Sequence, residues 1–267
     1  MSKAGLAGMQ LATQDIINVA RGLSADEWAT ESAARGWTVH DVVSHAGNLI
    51  GVVLDAVNGQ LVTPDGMGIE ALNDVQVEAK RSQDPMEAVT FLEEQLAKAV
   101  PVFTQLQDEP YASTEAELLD LGSYPLHAIV DMFTFDFTTH LRYDILVPRG
   151  PIKRHLDPLD EAHLAPSVSW LLGGIPKMQR DLPKSLEGPV ALVLTGPAAR
   201  AVVLNPVEGG IVVEGMDSHD RSPLATVISS TTNFLAWSTA RLPWREYVTI
   251  EGDDVVATKF LDAMNLT

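Results

Sequence analysis

Residues 125–150, PLHAIVDMFTFDFTTHLRYDILVPRG, decide the fold of the N-terminal part of this chain. The run starts on a proline, carries apolar residues at three- and four-residue steps, and stops at Pro148 and Gly150, which is the pattern of a helix of several turns. Phe133, Asp136, Phe137, His140 and Asp144 fall along one side of it. Asp136 and His140 are four residues apart, so both side chains point the same way and can grip one ion. An Asp and a His one turn apart also occur on solvent-facing helices. Here Phe133 and Phe137 flank them, and an ionised carboxylate on an apolar face costs several kcal/mol unless it is paired or coordinating. A metal ion, or a hydrogen bond that Asp136 accepts from His45 without a metal, would relieve that cost.

Working outward, three further helices are expected. The first covers about Ala4 to Arg21, with Leu6, Ile16, Ile17 and Ala20 as apolar positions. The second begins at Thr38, whose hydroxyl can cap exposed amides, with Asp41 favoured in the first turn. Its face of Val42, His45, Leu49 and Val53 sets His45 among apolar neighbours. The third starts near Pro85, a residue tolerated in a first turn, and runs towards Leu106. Gln60 to Asp65 reads as loop. Four such helices imply an antiparallel bundle.

Past residue 155 the texture changes. Residues 158–182 read as a connecting helix, followed by strand candidates PVALVL, ARAVVL and GIVVEG, a helix from about Ser222 to Ala240, the strand EYVTI and a last helix from Asp254 to Met264. The expectation is an α+β chain of two domains, a helical bundle over 1–155 and a small α+β domain over 156–267.

Composition limits the function. The chain has 267 residues, enough to bury a substantial core, and 18 basic against 36 acidic residues, a formal charge of -18. That charge opposes non-specific binding to nucleic acid or anionic membrane, so neither is expected as a partner. With no cysteine, the chain offers neither disulfide nor thiolate, and any thiol chemistry needs a borrowed thiol. The N-terminal segment is interrupted by Lys3, Gln10, Gln14 and Asp15 and lacks the apolar core of a signal peptide, which predicts a cytoplasmic protein. Of the other histidines, His40 and His127 are expected at helix starts, His40 exposed, and His155, His163 and His219 in polar, turn-like surroundings.

The stretch DEWATESAARGWTVHDVVSHAGN, ending just past His45, resembles the opening signature of the DinB-like metal-binding domain of mycothiol-dependent maleylpyruvate isomerases. FDFTTHLRYDILVPRG resembles that family's second signature, and TNFLAWSTARLPWREYVTIEGDDVVATKFLDAM is similar to its small C-terminal domain, related in fold to sterol-carrier proteins. The resemblance implies a four-helix bundle of the DinB-like type followed by a sterol-carrier-like α+β domain. It also implies one divalent-metal site of His45, Asp136 and His140, zinc being the expected ion. Two positions depart from the family pattern: Asp136 stands where Glu is usual, and Tyr143 takes a place often acidic, with Asp144 one residue later.

The chemistry implied is that of mycothiol, whose sulfur a zinc-type ion activates. In an isomerase the thiol adds to a small electrophile and leaves again; in a transferase it stays attached. Arg142, Arg241 and Arg245 border the most family-like segments and could meet an anionic substrate. Arg241, in WSTAR, resembles the position of an arginine that closes over substrate from the C-terminal domain. The expected partners are a small-molecule substrate and a low-molecular-weight thiol, in a monomer or homodimer. The alternative is a carrier of an apolar ligand with a structural metal or none.

Overall fold

Local signals set most helix boundaries in the computed structural model, which describes residues 3–218 and 222–266. Helix α1 spans Lys3–Ala20 and turns Met9, Ala12, Ile16 and Ile17 inward. The short α2, Ala25–Ala29, is closed by a capping box in which Ser24 and Glu27 satisfy each other's backbone amides. Helix α3, Val39–Val57, is capped the same way by Thr38 and Asp41. Helix α4, Ile69–Glu78, occupies a segment for which the sequence predicts no element. Its N-terminal amide, on Ile69, donates to the Asp120 carboxylate at 2.8 Å, so its start is capped from 51 residues away, beyond the reach of a local reading. Helix α5, Pro85–Gln105, starts on its proline with Asp84 as cap.

A small hairpin of β1, Glu115–Glu117, and β2, Ser123–Pro125, leads to α6, Ile129–Thr139. The expected single helix from Pro125 is thus broken into three parts. A 3-10 turn covers Leu126–Ala128, α6 follows, and His140–Ile145 winds as a π-helical turn. In the bundle α3 packs on α5, and α1 on α6 and α5. Phe103, Phe133 and Phe137 form a fully buried aromatic row inside it.

The chain divides into two compact units, Met1–Pro158 and Leu159–Thr267. The second begins with α7, Glu161–Met178, capped by Asp160. It continues through β3, Val190–Thr195, β4, Arg200–Val207, β5, Gly210–Gly215, and β6, Ala225–Ser230. Helix α8, Thr231–Trp237, strand β7, Thr249–Gly252, and helix α9, Asp254–Ala263, complete it. The sheet order is β5-β4-β3-β6-β7, with β3 and β6 parallel and the other pairs antiparallel.

The helix expected over Ser222 to Ala240 is a strand followed by a short helix. ATVISS alternates buried and half-buried side chains, as a strand does, and Ser230 then caps α8 through the Asn233 amide. The result is the α+β architecture expected, a helical bundle followed by a sheet-containing domain. Among the described residues no helix is long and apolar enough to cross a membrane.

After the π-helical turn the chain doubles back, and the Gly150 amide donates to the Leu146 carbonyl at 2.9 Å. A Cβ at Gly150 would overlap the carbonyl group of Ile145, which as backbone cannot swing aside. Gly150→Ala is therefore expected to lower stability by about 1–3 kcal/mol through overpacking, read as a reduced urea midpoint. Gly173→Ala, where a Cβ meets open space, is the control.

Candidate metal centre

Two anchored helices bring the site together. The start of α3 is fixed by the hydrogen bond from Thr38 N–H to the Asp41 carboxylate, 2.9 Å, and by Arg81, whose Nε lies 3.3 Å from the same carboxylate. His45 follows two turns later and is 2% exposed as a side chain. On α6, Asp136 and the succeeding His140 project from one side. His45 Nε2 lies 3.2 Å from Asp136 Oδ2, and His140 Nε2 lies 3.6 Å from Asp136 Oδ1. One donor atom from each of the three residues falls within 4.8 Å of the others, the grouping of this kind found among the described residues.

The donor set is two imidazoles and a carboxylate, which suits a zinc-type divalent ion with room for a further ligand. His45 Nδ1 is buried without a hydrogen-bond partner, while Nε2 is the nitrogen that faces Asp136. Asp136 and His140 retain side-chain exposures of 21% and 13%, which gives the cluster an accessible side although His45 is sealed.

Trp37 forms a wall that the sequence reading did not assign to the site. Its ring centroid lies 5.0 Å from that of His45 and 6.0 Å from that of His140, with the latter pair nearly parallel. The indole Nε1 donates to Asp74 of α4 at 2.9 Å, which ties the otherwise unexpected helix to the side of the bundle that carries His45 and His140. Asp144 is fully buried and places Oδ2 2.8 Å from His140 Nδ1, and Arg149 closes onto its other oxygen.

Of the arginines proposed from sequence, Arg142 belongs to the helical unit, and Arg241 and Arg245 belong to the second. Arg142 donates to the Asp157 carbonyl at 2.7 Å, and Arg245 pairs with Asp262 while lying over the Trp244 ring, so both serve their own surroundings. Arg241 belongs to the second unit, half-buried beyond α8, where its amide donates to the Ala236 carbonyl at 2.9 Å. Of the other histidines, His155 is exposed, His127 Nδ1 donates to the Ala112 carbonyl at 2.7 Å, and His219 lies outside the described residues. His163 is buried in α7 beside Asp160 at 2.8 Å, not in a turn, because the cap residue folds back over it.

Comparison with known proteins bears first on the helical unit. Residues 9–128 match the family described as mycothiol maleylpyruvate isomerase N-terminal domain, a span that includes His45 and ends before Asp136 and His140. A crystal structure of the mycothiol-dependent maleylpyruvate isomerase is similar with a TM-score of 0.58 at 16% identity, covering 92% of this chain and 91% of that one. A histidine-to-alanine variant of that isomerase gives 0.57 at 17% identity with the same coverage. At these identities the likeness is one of fold. A sterol carrier protein domain 2 of Helicoverpa armigera aligns at 16% identity over 35% of this chain and 81% of that one, but its TM-score of 0.30 carries no argument. No curated protein sequence matches the chain.

His40 corrects an expectation directly. It is buried, not exposed, because α2 carries Trp28 across the first turn of α3, with the two rings 6.0 Å apart edge to face. Burial lowers its pKa below 6.5, partly offset by the nearby Asp41 and Asp84 carboxylates. The folded protein then binds this proton less readily than the unfolded chain. The stability contributed by a neutral His40 is complete above pH 6.5 and is lost as pH falls through the lower folded value. An NMR titration should place the His40 midpoint below 6.5, and a midpoint at or above it would contradict this account.

Proposed function

We propose, from the premise that the N-terminal domain of this chain belongs to the mycothiol maleylpyruvate isomerase family, that the protein is a divalent-metal-dependent and mycothiol-dependent isomerase or thiol S-transferase. The observation that carries the reading is that one ring nitrogen each of His45 and His140 and a carboxylate oxygen of Asp136 lie within 4.8 Å of one another inside the helical bundle. These three residues would hold the ion, zinc by donor type. When bound, such an ion supplies the Lewis acidity that makes a thiolate available at neutral pH.

The chain's own residues then have defined tasks. His45 and His140 present neutral imidazole nitrogens, and Asp136 brings one negative charge. With two neutral ligands and one carboxylate a divalent ion keeps a positive charge, which favours the anionic form of an incoming thiol. Trp37 covers one flank of both imidazoles and limits water there. No cysteine exists in the chain, so the nucleophile comes from the low-molecular-weight thiol.

In the isomerase version the thiolate forms a C–S bond to one carbon of an activated double bond, and the electron pair moves into the conjugated carbonyl. Rotation about the former double bond follows, and return of the electron pair expels the thiolate. In the transferase version the adduct is protonated and released. Arg241 is the cation proposed for an anionic substrate. A cytoplasmic setting, where low-molecular-weight thiols stay reduced, belongs to the same proposal.

Purified protein supplemented with zinc should hold about one ion per chain by elemental analysis, the count a single three-residue site predicts. His140→Ala should lose both the ion and turnover while keeping its helical circular dichroism. With mycothiol and a panel of conjugated electrophiles, loss of free thiol marks a transferase, and isomerisation with thiol conserved marks an isomerase. A zinc-free wild type under these conditions would sink the proposal.

A further inference from the structure

His45 and His140 are supported unequally. Neither outer nitrogen makes a well-aligned hydrogen bond, but that of His140 lies 2.8 Å from a carboxylate oxygen, whereas that of His45 is buried with none beside it. That carboxylate, Asp144, has 0% exposure, and burying an ionised group so completely costs several kcal/mol unless it is paired. It is paired twice. One oxygen lies 2.8 Å from His140 Nδ1, close although not ideally aligned, and the other receives the Arg149 guanidinium.

The backbone is shaped to make this contact. Four residues advance an α-helix by more than a full turn, overshooting by roughly 40°. The wider π-helical turn His140–Ile145 reduces that overshoot and brings Asp144 to the Nδ1 side of the His140 ring. The chain then turns back between Leu146 and Gly150 and carries Arg149 onto Asp144. Arg149 keeps 29% side-chain exposure, so it closes the network from its solvent side.

We infer that Asp144 is a positioning residue for the metal centre: it accepts the Nδ1–H of His140 and thereby fixes the tautomer whose Nε2 lone pair faces the ion, while Arg149 holds Asp144 to that task. The inference rests on the metal-site reading above and deepens it. A carboxylate behind a ligating imidazole orients the ring and raises its basicity as a ligand. The site would then owe its strength to five residues, of which Asp144 and Arg149 never touch the ion.

The test uses the full chain and two readouts other than turnover. Zinc affinity is measured by competition with a chromogenic chelator, and the visible spectrum of the cobalt-substituted protein reports ligand geometry. Asp144→Asn keeps the side-chain shape and removes the charge, and is expected to weaken zinc binding by about 10–100-fold with a changed cobalt spectrum. Asp144→Glu should recover part of the affinity, and Arg149→Gln should lose less than Asp144→Asn. If Asp144→Asn fails to fold, Arg149→Gln decides, since its guanidinium is partly exposed. Wild type that binds zinc, alongside a folded Asp144→Asn with equal affinity and an unchanged spectrum, overturns this inference alone. An unchanged Arg149→Gln does the same where it is the deciding variant. A wild type that takes up no zinc overturns the site reading and this inference together.

Discussion

Asp136 is a partly exposed acid whose carboxylate lies between His45 and His140, and the need to match its charge is the constraint around which the site in the N-terminal unit is organised. A lone carboxylate there would neutralise or destabilise the fold. His45 and His140 meet it from two helices, and each is itself fixed by something else. The capping box and Arg81 fix the start of α3 and so the height of His45. Asp144 backs His140, and Trp37 lies against both imidazoles. The polar cluster is thus satisfied from outside inward, with Asp74 and Arg149 at its boundary with solvent-facing elements.

What was legible in the sequence follows the range of the interaction that encodes it. Caps are local, and Thr38–Asp41, Pro85 and the spacing of Asp136 to His140 could be read from a few residues. The convergence of His45 with that pair is not local, and spacing alone leaves both a metal and a simple hydrogen bond open. Family resemblance singled out His45. Helix α4 was missed because its cap, Asp120, comes from a distant turn. The strand β6 was hidden because TTNFLAW continues it without a glycine or proline, and only the Ser230 cap marks the change of period.

Histidine exposure was misread for a related reason. His40 follows a cap in sequence, a position that is ordinarily wet, yet a separate short helix covers it with Trp28. His163 reads as a turn residue until Asp160 starts a helix and bonds to both its backbone and its ring. In both cases the local pattern gives the backbone state correctly or nearly so, and the environment is set by a residue whose placement the pattern does not contain. Arg149 belongs to the same class. The turn closed between Leu146 and Gly150 is what returns it to Asp144.

The π-helical turn links the two levels. A helix that must show Asp136, His140 and Asp144 to one site faces a geometric conflict, because an α-helix rotates successive four-residue steps away from a common face, by about 80° over eight residues. Widening the turn after His140 lets the first pair keep α-helical spacing while the third residue is drawn back into line. The departure from regular helix therefore falls where ordinary periodicity ceases to serve the side chains. It also explains why an acid four residues beyond the histidine can stand directly behind the ring while remaining within one continuous segment. The backbone irregularity and the buried Asp144 are two views of one requirement, that His140 be held from behind if its Nε2 is to face Asp136.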